Sequence, residues 1–192
     1  MWWARLLNVI SGLLSGAGAP ASTTSYESIA TVTLGSAAST ISFSSIPSTF
    51  KHLQIRGIGR AANSVTDENL VIQLNSDTAT NYSLHNVYGT GAATGANAGA
   101  NTNVSYFARV TGASSNASTY GVAVADVLDY ADPNKYKTIR SLSGHDQNGS
   151  GYISLFSGNW RSTSAVTTVT IKNDSGSNIA AGSTFALYGI KG

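Results

Sequence analysis

The chain has 192 residues, a net charge of +2, no cysteine and a charged fraction of only 10%, well below the ~25% usual for globular domains. Absent cysteine rules out a disulfide framework and thiolate metal sites, and the few scattered lysines and arginines do not make the basic stripe that a nucleic-acid surface needs. Small polar residues fill the deficit, which suits an all-β extracellular or particle surface rather than a charge-rich disordered chain.

The first fifteen residues differ from all that follow. Placed about 100° apart, Trp2, Trp3, Leu6, Leu7, Val9, Ile10, Leu13 and Leu14 share one arc, while Arg5, Asn8, Ser11, Gly12 and Ser15 share the other. Trp3, Leu7, Ile10 and Leu14 follow four-three-four spacing, the seam of a short coiled coil. This predicts an amphipathic helix over 1–15. At about 20 Å it is too short to be stable alone, so it needs a surface to dock on. The expected docking residues are Trp2, Trp3, Leu6, Leu7, Ile10, Leu13 and Leu14. A secretory signal shares the pattern of early arginine, apolar centre and small residues. A membrane span needs roughly 20 apolar residues; this run is shorter and two-faced, so no span is expected. Residues 16–25 (GAGAPASTTS) read as a flexible linker, with Gly16, Gly18 and Pro20 stopping the helix.

From residue 26 onward strand signals follow at short intervals. They fall at 26–34, 41–43, 51–58, 70–74, 85–88, 104–110, 120–130, 137–142, 152–156, 166–171 and 185–190. Turn chemistry separates them at Asn75-Ser76-Asp77, Asp132-Pro133-Asn134, Asn148-Gly149 and Asn173-Asp174-Ser175-Gly176. Residues 90–103 (TGAATGANAGANTN) carry no apolar pattern and read as a surface loop. About ten short strands predict an all-β, jelly-roll-like β-sandwich head over 26–192.

No motif carries catalysis. Asp126 falls on the row of Val122, Val124 and Leu128, and a charge on an apolar row calls for a partner; Arg140 is the candidate. Asp146, Asn148 and Ser150 resemble half a calcium loop, but the twelfth position is Ser157 rather than an acid, and Asn148-Gly149 is a strong hairpin signal. His52, His85 and His145 sit in separate segments. His52, Gln54 and Arg56 form a polar strand face suited to a subunit contact. The tyrosines and Trp160 read either as packing or as a sugar-stacking platform. No catalytic residue, cofactor site or metal site is expected.

The pieces YESIATVTL, IPSTFKHLQIRGIGR, NYSLHNVYG, SGNWRSTSAVTTVTI, NKYKTIRSLSG at 134–144 and FALYGIKG at 185–192 resemble a family of virion proteins of tailed phages. The likeness covers most of 26–192 and leaves out the N-terminal helix. It implies a non-enzymatic virion structural protein on the particle surface, in a tail-fibre, baseplate-appendage or capsid-decoration role, among which it does not choose; the expectation puts a tail-fibre or baseplate appendage ahead of a capsid decoration protein. It also implies a homo-oligomer with a trimer favoured. The helix is expected to dock on other virion proteins, and a lectin-like head would take host-surface glycan as a further partner.

Overall fold

A computed structural model describes residues 25–192. The expected docking helix over 1–15, with Trp2, Trp3, Leu6, Leu7, Ile10, Leu13 and Leu14, lies outside the described residues, as does the linker up to residue 24. The described chain is all β. Its strands are β1 (Tyr26–Thr33), β2 (Thr40–Phe43), β3 (His52–Gly59), β4 (Asp67–Leu74), β5 (Tyr82–Gly89), β6 (Thr94–Thr102), β7 (Ser105–Thr111), β8 (Gly121–Leu128), β9 (Lys137–Asp146), β10 (Gly151–Trp160), β11 (Val169–Asn173) and β12 (Thr184–Ile190). They form two antiparallel sheets, one of eight strands ordered β1-β12-β3-β8-β9-β10-β5-β6 and one of four ordered β2-β11-β4-β7. Among the described residues no helix is long and apolar enough to cross a membrane.

Alternation within each strand sends one row of side chains inward. Leu53 and Ile55 of β3, Leu70, Ile72 and Leu74 of β4, Phe107 of β7 and Phe185 of β12 join one core cluster drawn from both sheets. Phe107 and Phe185 meet with ring centroids 6.1 Å apart. The outermost strand of the smaller sheet, β7, lies directly against β9. The Ser141 hydroxyl donates to the Phe107 carbonyl, and Ser143 Oγ accepts from the Arg109 N–H at 2.8 Å. Gly158 makes room for this approach: a Cβ there would sit 1.9 Å from Ser105 Oγ.

One expectation needs correction. Residues 90–103 are not a loop, because Thr94–Thr102 form β6, paired along its length with β5. Side-chain propensity contributes little there; backbone pairing to a strong neighbour holds the strand. The row of β8 that holds Val122 and Val124 turns to solvent: Ala123, Ala125 and Val127 face the core, whereas Val122 and Val124 are 53% and 43% exposed.

The turn signals hold. Asn148 and Gly149 both take positive φ, 62° and 97°, and close the β9–β10 hairpin as a two-residue turn of this kind requires. The Asp146 carboxylate accepts the Asn148 N–H at 2.8 Å. Asp126 pairs with Arg140 directly across the strands, Oδ2 to Nη2 at 3.1 Å.

Aromatic and charged side chains fix the end of the fold where β9 begins. The buried Tyr82 hydroxyl accepts the Leu74 N–H at 2.9 Å and donates to the Leu74 carbonyl; burial pushes its pKa up to about 12. Trp160 lies against Tyr82 and donates to Asp77. Lys137 is fully buried. Its ammonium donates to the carbonyls of Asp132, Lys135 and Thr163, tying the β8–β9 turn to the segment after β10. Burial pushes its pKa down.

Asp129 sits in the same turn between Lys135 and Lys51, at 2.5 and 2.8 Å. Hydrogen bonds from Lys135 and then Lys51 hold its carboxyl at about 2, below the ordinary 3.8. A depressed folded value stabilises above the unfolded pKa and is lost as pH falls through the folded one. The melting-temperature gap between wild type and Asp129→Asn is therefore expected at pH 7 and should close as pH falls from about 4 to about 2. A gap that persists at the acid end would show that charge is not the cause.

Candidate functional site

The eight-stranded sheet turns an unusual face to solvent. In one cross-strand row, Arg56 of β3 is followed by Val124, Leu142, Leu155, Val87 and Ala96 on β8, β9, β10, β5 and β6. The adjoining row runs Ile58, Val122, Gly144, Ile153 and Gly89. Ile58, Val87, Val122, Val124, Leu142, Ile153 and Leu155 are each 43–60% exposed. An antiparallel sheet with one face on a core normally turns polar residues to water. Single exposed aliphatics need no explanation, but seven contiguous ones reach the few hundred Å² that monomers seldom exceed without a function.

The next row is polar and tightly bonded. Gln54 Nε2 donates to Asp126 Oδ1 at 2.9 Å, Arg56 Nε donates to Gln54 Oε1 at 2.9 Å, and Arg140 pairs with Asp126. The Arg56 guanidinium lies 5.7 Å from the Tyr26 ring centroid and 5.5 Å from that of Tyr188. The polar face expected at His52, Gln54 and Arg56 thus lies on the same side of the sheet as the apolar stripe. An apolar centre beside a rim carrying both charge signs has the anatomy of a protein contact.

A second feature follows from the unequal sheet widths. The smaller sheet ends at β7, while the larger continues past it through β5, whose inward row is still buried, to β6, whose Asn97 is exposed. There a cleft of about 380 Å³ opens. Asn86 and Asn97, opposite each other on β5 and β6, share it with Leu84 and Phe156 below and with Tyr106 and Arg109 reaching over from β7. Tyr106 meets Phe156 edge-on at 5.9 Å. Arg109 forms an ion pair with Asp67, donates from Nη1 to Asn69 Oδ1 at 3.0 Å, and lies 4.9 Å from the Tyr152 ring centroid. Tyr152 stacks on Tyr88 at 5.0 Å. Beside them His145 is buried with neither ring nitrogen bonded; burial lowers its pKa, opposed by Asp67.

The remaining candidates do not converge. His52 Nδ1 accepts the Asp129 N–H at 2.9 Å, His85 faces outward on β5, and His145 faces inward on β9. Among the described residues no three His, Asp or Glu side chains gather in a metal-holding arrangement. Asp77 is bound to Trp160 and Asn81. Neither the stripe nor the cleft was singled out from the sequence, because each is assembled from residues on separate strands.

No family model, curated protein or solved structure matches this chain.

Proposed function

We propose that this chain is a non-enzymatic structural subunit of a phage particle, a tail-fibre or baseplate appendage, whose head associates with further copies of itself. The observation that carries the reading is the apolar stripe on the eight-stranded sheet. A second copy is the occupant that best fits it. Specific interfaces have an apolar centre and a polar rim, and the stripe of seven exposed aliphatics beside the Gln54–Asp126–Arg140 row has both. The border carries Asp126 beside Arg56 and Arg140, so it offers both charge signs to a neighbouring copy.

The likeness of 26–192 to virion proteins supports a place on a particle. Residues 1–15 would then be the mounting, with Trp2, Trp3, Leu6, Leu7, Ile10, Leu13 and Leu14 buried against other virion chains. Strand order supports a finer reading of the head as a jelly-roll sandwich. Without the hairpins β5–β6 and β9–β10, the sheets reduce to β1-β12-β3-β8 and β2-β11-β4-β7, the interleaving of two Greek keys. A homotrimer is the favoured assembly.

Light scattering on the full chain tests self-association. Wild type is expected as an oligomer and the Leu142→Asp/Ile153→Asp double variant as a folded monomer. A monomeric wild type, or an oligomer indifferent to both charges, would refute the role of the stripe. Immunogold labelling of particles with antibody to the head should decorate the tail; absence of label from particles refutes the virion placement.

A further inference from the structure

We propose that the cleft between β7 and the overhanging β5–β6 pair binds a neutral sugar ring. The inference does not rest on the virion reading or on the stripe. Its starting point is Asn86, 6% exposed, whose Oδ1 is buried without a hydrogen-bond partner. A buried amide oxygen with no protein partner costs about 1–3 kcal/mol unless a water or a ligand serves it. Asn97, directly opposite on β6, also makes no side-chain hydrogen bond among the described residues. Two facing amides present donors and acceptors together, as do the adjacent hydroxyls of a sugar.

The rest of the cleft narrows the ligand class. Arg109 does not leave a free positive charge, because Asp67 neutralises it and Asn69 takes a further donor. Its Nε remains unbonded. The ion pair with Asp67 leaves the cleft without a free charge to attract an anion. Leu84 and Phe156 supply an apolar floor for the C–H face of a pyranose, and Tyr106 closes one side. The floor stays low because position 99 is glycine; a Cβ there would meet Leu84 Cγ at 3.4 Å. A volume of about 380 Å³ lies at the small end of ligand sites, sized for one or two sugar units.

Asn86 separates a binding role from a structural one. A side chain kept for stability should lower the melting temperature when removed. An unbonded amide kept for a ligand should not. The experiment titrates the full chain by saturation-transfer NMR and calorimetry with methyl glycosides of glucose, galactose, mannose and N-acetylglucosamine. Sialic acid serves as the charged control. At least one neutral glycoside is expected to bind, weakened about tenfold or more, as loss of one well-placed hydrogen bond to a desolvated group allows, in both Asn86→Ala and Asn97→Ala. Both variants should melt no lower than wild type. No binding by any neutral glycoside, binding of the charged sugar alone, or affinity unchanged in both variants would overturn the proposal.

Discussion

Replacing Lys137 with methionine is expected to destabilise the protein by about 3–5 kcal/mol, since a buried charge's partners are left unserved while the volume stays filled. The ammonium is the common donor to three carbonyls, those of Asp132, Lys135 and Thr163, from two separate segments. Methionine conserves the straight stem and removes only the donors, so the loss is polar and not a cavity. With about 2–4 °C of melting temperature per kcal/mol in a domain of this size, the shift should be on the order of 10 °C. Urea denaturation checks it: the midpoint should fall with the slope unchanged. A loss below about 1 kcal/mol would mean that the carbonyls find other donors. The turn holding Asp129 should also loosen, so the acid dependence assigned to Asp129 should weaken in the same variant.

Phe107→Ala is the second large effect. Phe107 is fully buried on β7 and meets Phe185 across the two sheets. Removing a buried phenyl ring costs about 3–5 kcal/mol through lost transfer energy and the cavity left behind. Relaxation is restricted here because the Phe107 carbonyl is bonded to Ser141 and the next alternate residue, Arg109, to Ser143. The backbone of β7 cannot sink into the hole without breaking these bonds, which places the expected loss at the upper end of that range. Phe107→Leu should lose less than half as much. Equal losses for the two variants, read by chemical denaturation, would show that ring volume is not what the site requires.

Much of the strand layout was legible because its signals are local. Leu53, Ile55 and Arg56 alternate as a half-buried strand should, and Asn148-Gly149 states its turn type in two residues. The loss of β6 has an equally physical cause. Its sequence of Gly, Ala, Asn and Thr has low strand propensity, and what holds it is the backbone ladder to β5, the preceding strand of the same hairpin, which its own side-chain pattern does not announce. A weak trace remains in the period-two alternation of Ala96, Ala98 and Ala100 with Gly95, Asn97 and Gly99. The stripe was hidden for a different reason. In β8 Ala123 and Ala125 take inward positions while Val122 and Val124 face solvent, a choice between two rows that alternation alone cannot make. The cleft was hidden because Asn86, Asn97 and Arg109 become neighbours only where one sheet outruns the other. Residues 1–15, the most strongly patterned stretch in the sequence, lie outside the described residues.

The place of β12 has a kinetic consequence. The last strand does not lie at an edge; it is inserted between β1 and β3, with Ile190 opposite both Tyr26 and His52. Until residues 184–190 leave the ribosome, the edges of both neighbours stand open and the core lacks Phe185 and Leu187. Closing the sheet therefore joins the beginning of the head to its end, the longest loop closure this topology contains, and such non-local pairing folds slowly. Co-translational folding of the head should stop short of completion until the final strand is released, and nascent chains ending near residue 180 should remain protease-sensitive.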